Sequence, residues 1–214
     1  MTAPTSIDVY WSFRSPYCYL ALDRLLALRD DIGATIAIKH VWPGAMRRSG
    51  YFSHLHPNYS RYHQRDTKRL ADYLDLPYAR PRPDPLLIDT ETIEPAADQP
   101  HIGRLTRMGV LAVEAGMGLP FLDHVMRLLW NGRIDGWDQG AHLANAVADA
   151  GLDFQDLISR QETEIARLDK AIATNAETLT DAGHWGVPTV VYDGEPFFGQ
   201  DRLDLLIWRI GQSR

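Results

Sequence analysis

Ser15, Pro16, Tyr17 and Cys18 stand where an apolar run ending at Phe13 gives way to the leucine-rich stretch "YLALDRLLAL". A strand entering a helix at this point exposes unpaired backbone N–H groups and the positive end of the helix dipole, an arrangement that suits an anion. A redox protein would place a Cys-x-x-Cys pair here, because that environment favours thiolate. In this chain the first position is Ser15, and Cys18 is the only cysteine. Dithiol chemistry within one chain is therefore excluded, and a thiolate bound at Ser15 would have to arrive with a ligand. Ser15 followed by proline also suffices as a plain N-cap with proline at the first helical position.

Two further clusters could act with it. In "GVPT" the pair Val187-Pro188 opens a strand, and the residue before the proline can offer its backbone N–H and C=O to an extended peptide. In "GQDRL", Asp201 is suited to cap the last helix. Gln200 and Asp201 could equally hold the ammonium and carboxylate of an α-amino acid end group. Arg47-Arg48 reads either as a solvated pair or as an anchor for a carboxylate. Cys18, one turn after Ser15, reads as a small buried residue beneath the site. His54 and His56 lack an evident third ligand, so no metal is expected. Trp11 and Trp42 read as core.

The elements that must position these residues follow from periodicity. Residues 6–13 and 34–42 read as strands around a helix at 16–30, a parallel β-α-β unit. A charged amphipathic helix over 60–76 ends at Pro77, and a proline-rich segment to residue 100 reads as irregular. Helical segments follow at 101–116, 120–131, 138–150, 153–160 and 162–183. Strand character returns at 187–192, turns through Asp193-Gly194 as a two-residue hairpin, and passes to a last helix over 201–212 beginning at Asp201. The expected fold is α/β: a thioredoxin-like fold with a large all-α domain inserted between its βαβ and ββα halves. That places a discontinuous thioredoxin-like domain at 1–58 and 184–214 and an inserted helical domain at 59–183.

Composition is that of an ordinary globular chain of 214 residues, 45% hydrophobic and 23% charged, with net charge −6. The acidic balance and the lack of a basic block argue against nucleic acid as a partner. "MTAPTSIDVYW" has no basic stretch followed by an apolar core, and no run reaches the ~18 apolar residues of a membrane span. No membrane partner is expected, and the cytoplasm is the expected compartment.

"DVYWSFRSPYCYLA", "WGVPTVVYDGEPFFGQDRLDLL" and the helical middle resemble the 2-hydroxychromene-2-carboxylate isomerases and kappa-class glutathione transferases, a glutathione-using branch of the DsbA-like superfamily. The resemblance implies that Ser15 hydrogen-bonds the sulfur of glutathione and that Val187 pairs with the tripeptide beside a cis Pro188. Gly199, Gln200, Asp201 and Arg202 would cradle the γ-glutamyl end. Arg47, where the family usually has lysine, and Asn58 would contact a small aromatic substrate. The implied activity is a cis–trans isomerisation of an aromatic unsaturated keto acid, with glutathione as cofactor and a homodimer as the assembly. A kappa-type transferase and a DsbA-like thiol–disulfide oxidoreductase are the alternatives. The chain departs from the pattern at Cys18, where serine is common, in "HLHPNY" at 54–59, and near Asp84, where a tyrosine is expected.

Overall fold

A computed structural model describes residues 5–212, so the outermost residues of the thioredoxin-like assignment, 1–4 and 213–214, lie outside the described part. Strand β1 (Ser6–Trp11) runs into helix α1 (Pro16–Ile32), and β2 (Thr35–His40) returns beside it. After the one-turn α2 (Gly44–Arg47), helices α3 (Tyr59–Tyr73), α4 (Pro100–Glu114), α5 (Gly118–Trp130), α6 (His142–Asp149), α7 (Phe154–Thr163) and α8 (Ile165–Asp181) follow. The hairpin β3 (Thr189–Tyr192) and β4 (Glu195–Phe198), then α9 (Leu203–Gln212), close the chain.

The four strands form one sheet in the order β2-β1-β3-β4. β1 pairs parallel with β2 from Ser6↔Thr35 to Trp11↔His40, and antiparallel with β3 at Val9↔Val190. β1 therefore has a neighbour on both sides, and Ile7, Val9, Tyr10 and Trp11 are all buried, as a central strand requires. The halves of this sheet come from opposite ends of the chain, as the β-α-β and β-β-α patterns predict. The hairpin turns through Asp193 (φ 49°) and Gly194 (φ 78°), the pair of left-handed residues that a two-residue turn needs.

Boundaries shift where local backbone overrides periodicity. Helix α6 begins at His142 rather than 138, because Gly140 just before it is left-handed (φ 56°). The last helix does not start at Asp201. Gln200–Arg202 is a 3-10 turn preceded by Gly199, and α9 begins at Leu203. The four-residue α2 was not expected, being shorter than periodicity can detect.

One apolar cluster runs through both parts of the chain: Val9, Trp11 and Leu22 belong to it together with Leu105, Phe121 and Leu168. Helix α4 lies across β2, and His40 marks the contact. Its ring stacks on Phe13 at 5.1 Å, and a Cβ at Gly109 of α4 would stand 2.5 Å from its Nε2. Only glycine lets the helix come that close. Burial holds His40 neutral, its pKa pushed down to about 3.

Candidate active site

Ser15 caps α1 in extended conformation (φ −89°, ψ 116°), and its Oγ accepts the Cys18 backbone N–H at 3.3 Å. The same hydroxyl donates to the Val187 carbonyl at 3.4 Å, and the Val187–Pro188 bond is cis. Helix start and proline loop, far apart in sequence, thus meet through one side chain. Cys18 is fully buried one turn below, and burial pushes its thiol up to about 12. It is the packed residue that its spacing predicts, with no thiolate near neutral pH.

Around this junction lies a cleft of about 1050 Å³. Ser12, Ser15, Pro16, Tyr17 and Val187 line it at the α1 end. Trp42, Arg47, Arg48, Tyr51 and Phe52 contribute from the α2 region; Tyr59, Ser60 and His63 from α3; and Ala176, Glu177 and Thr180 from α8. Trp185, which is 71% exposed, stands at the rim beside Phe198, with His184 stacked against both rings.

The cleft is cationic in a chain that is acidic overall. Arg14 is matched by Asp84, Nε to Oδ1 at 2.9 Å and Nη2 to Oδ2 at 3.1 Å. Arg47, Arg48 and Arg80, all in the lining, have no carboxylate partner among the described residues. Arg47 donates from Nε to the Trp42 carbonyl (2.8 Å) and from Nη2 to the Trp185 carbonyl (2.7 Å). Two carbonyls orient this guanidinium, and neither cancels its charge. Among the described residues, Glu177 is the single carboxylate in the lining.

A tyrosine-histidine wall completes the geometry. The Tyr17 hydroxyl donates to Asp66 Oδ2 at 2.8 Å, and its ring meets that of His63 edge-on at 5.3 Å. His63 also stacks on Tyr59 at 5.5 Å. Burial, and then the nearby Arg80 and Arg14, lower the His63 pKa and favour its neutral form. The Tyr59 phenol is pushed up to about 12, mainly by burial.

Not every expected site residue reaches the cleft. Ser15, Val187 and Arg47 line it; Asn58 does not, standing exposed at the N-cap of α3. Gly199–Arg202 follow Phe198 at the rim but are not part of the lining. The Gly199 N–H donates to the Pro188 carbonyl at 2.9 Å, and its φ of 101° leaves room for Asp201, whose Oδ1 lies 2.5 Å from the missing Cβ. Gln200 is buried, and its carbonyl takes a 2.7 Å hydrogen bond from Arg24 Nη1. Asp201 pairs with Arg202 at 2.8 Å and is exposed. Trp11 is core as expected, whereas Trp42 is only partly buried and lines the cleft.

Tyr17, Tyr59, His63 and Arg80 also line the cleft, unanticipated from the sequence. A signal existed for two of them: Tyr59 and His63 are four apart on one face of α3. For Arg80, in irregular chain, there was none.

A scan against family models matches the DSBA-like thioredoxin domain over residues 6–211. No match to a curated protein was found. Among solved structures, a 2-hydroxychromene-2-carboxylate isomerase is similar at 21% identity and TM-score 0.72, covering 97% of this chain and 95% of its own. A probable DsbA oxidoreductase from Streptomyces coelicolor is similar at 16% identity and TM-score 0.66, covering 97% and 89%. The cytosolic disulfide reductase DsbM from Pseudomonas aeruginosa is similar at 17% identity and TM-score 0.59, covering 97% and 99%. At these identities the structures share a fold, while the family match spans nearly the whole chain. The chain belongs to the DSBA-like thioredoxin domain family.

Proposed function

We propose that this protein is a glutathione-dependent cis–trans isomerase acting on an aromatic unsaturated keto acid such as 2-hydroxychromene-2-carboxylate. One observation carries the reading: a serine faces the cis-proline loop at the α1 N-terminus, while the only thiol is sealed beneath it. Thiol–disulfide exchange, the activity named for several fold neighbours, needs an accessible thiolate, and Cys18 does not supply one. The isomerase among those neighbours is consistent with the alternative, a borrowed thiol.

The residues fit such a ligand. When bound, glutathione would supply a thiolate that adds to the conjugated carbon and leaves again after rotation about the former double bond. Ser15 would donate its hydroxyl proton to that sulfur in place of the Val187 carbonyl, beside the positive end of α1. A free thiol titrates near ~8.5, and each unit of lowering represents ~1.4 kcal/mol of anion stabilisation. Val187 would pair with the peptide backbone. Asp201 and Arg202, paired with each other, would exchange that pairing for the ammonium and carboxylate of the γ-glutamyl end, beside Gln200, whose backbone carbonyl is taken by Arg24. Arg47 would take the substrate carboxylate and the aromatic walls its ring.

Glutathione at 100 times its dissociation constant should stabilise the fold by ~2.7 kcal/mol and raise Tm. An unchanged Tm at millimolar glutathione would remove the cofactor from this reading. The mass of the product separates isomerase from kappa-type transferase: unchanged for the first, increased by glutathione for the second.

A further inference from the structure

Beside the main cleft lies a second cavity of about 400 Å³, and Arg14, Phe52, Leu55 and Ser60 line both. The rest of its wall is His56, Pro57, Ile88 and Ile93. The shared boundary carries little net charge, because Arg14 is bound bidentate by Asp84 and its guanidinium carbon lies 5.9 Å from the centre of the Phe52 ring. The outer wall is a small hairpin closed by an isolated bridge, Ile88↔Pro95. Asp89 shapes its tip, with Oδ1 accepting the backbone N–H groups of Glu91 and Thr92 at 2.9 Å each. Glu94 ties the hairpin to the segment carrying Phe52 and Leu55, its Oε1 accepting the Gly50 N–H at 3.0 Å.

Ile93 is the anomaly in this wall. It is left-handed (φ 58°) and 55% exposed. β-branched residues avoid that region, and the turn from Asp89, whose carbonyl accepts the Ile93 N–H at 2.9 Å, holds this one there with its side chain at the cavity. The exposed isoleucine stands at a cavity that adjoins the cationic cleft. A volume of this size suits a ring system, since small-molecule pockets start at roughly 300 Å³. Its mainly apolar lining is poorly matched to the charged ends of a peptide.

We propose that this side cavity is a specificity subsite that takes the apolar far end of an aromatic acid whose carboxylate lies in the main cleft, so that elongated acids are preferred over compact ones. It rests on the reading of the cleft as the acceptor-substrate site, and is independent of whether glutathione is the thiol. Arg47, Arg48 and Arg80 would hold the anionic end of the ligand, and Phe52, Leu55, Pro57, Ile88 and Ile93 its apolar end. Phe52 and Arg14 at the shared wall form the passage between them.

The test uses the whole protein and two probes, benzoate and biphenyl-4-carboxylate, titrated calorimetrically. The wild type should bind the biphenyl acid at least ~10-fold more tightly, each buried CH₂-sized increment favouring association. Ile93→Asn, which tolerates the left-handed backbone, should cut the preference to ~3-fold or less without lowering Tm. Ser60→Trp, filling the boundary between the cavities, should do the same from the other side. A preference unchanged in both variants, or no binding of either acid to the wild type, overturns the subsite. A preference that persists when glutathione gives no rise in Tm supports the subsite and overturns only the cofactor.

Discussion

At the scale of single residues, the two positions where a Cys-x-x-Cys pair would stand hold Ser15, the N-cap of α1, and Cys18, one turn inside it. Ser15 is polar, reaches the cis-proline loop and caps its helix, while Cys18 is buried and protonated. Ser15→Ala should therefore cost only the ~0.5–2 kcal/mol of a lost cap. Turnover of an electrophilic aromatic acid with glutathione should fall ~10- to 10³-fold, the loss typical of one preorganised donor to an anion. Cys18→Ser should leave turnover nearly unchanged. An inactive Cys18→Ser beside an active Ser15→Ala, measured in the same assay, would point to a monothiol redox protein instead. Arg47→Ala should raise KM for a carboxylate substrate by the loss of one charge-assisted contact, ~1.5–3 kcal/mol, with less effect on glutathione. Because Arg47 also bridges the Trp42 and Trp185 carbonyls, Arg47→Lys should recover charge without recovering both bonds. Steady-state kinetics against each substrate in turn reads the difference, and equal effects on both would mean that the residue is misassigned.

At the scale of elements, the contact of β2 with α4 fixes how the helices sit on the sheet. His40 and Gly109 are the two halves of that contact, a buried ring and the absence of a side chain opposite it. The imidazole makes no hydrogen bond of good geometry through either nitrogen and stays uncharged. Its folded pKa, about 3, lies below the 6.5 of the free group, so between these values the unfolded chain holds a proton that the native state does not. Stability must then fall as pH drops through that window, by ~1.4 kcal/mol per pH unit from this one group, with no contribution above it. Denaturant titrations at pH 7.5, 6 and 5 should show the decline, and His40→Leu should lose that part of the slope. An identical slope in the variant would mean that His40 charges freely in the folded state. Gly109→Ala should destabilise at every pH, since its methyl group meets a ring packed against Phe13.

At the scale of the whole molecule, the helical insertion and the thioredoxin-like part share one apolar core. We propose that the division at residues 58/59 and 183/184 describes chain topology and not independent folding. Denaturation followed by far-UV and near-UV circular dichroism should give coincident transitions, and the same midpoint by tryptophan fluorescence. Two separated transitions would show that residues 59–183 are an autonomous unit. No helix among the described residues is long and apolar enough to cross a membrane.

The shared site of Ser15 and Val187-Pro188 followed from the family resemblance, whereas the split sheet and the order of elements, apart from the one-turn α2, were legible in the residues themselves. These rest on local chemistry: β-branched and aromatic runs for strands, a serine-proline cap for α1, an aspartate-glycine pair for the hairpin. Burial of Cys18 was also legible, from its spacing one turn after the cap. What the tertiary structure decided lies in chain without periodicity and in contacts between distant segments. The Arg14–Asp84 pair, the seat of Arg80 and the left-handed Ile93 have no local signature, because each depends on how irregular segments fold over one another. The exclusion of Asn58 from the cleft and the bond from Arg24 to the Gln200 carbonyl are of the same kind. A residue's type states what it can bind, and only the packing of the other elements determines which partner reaches it.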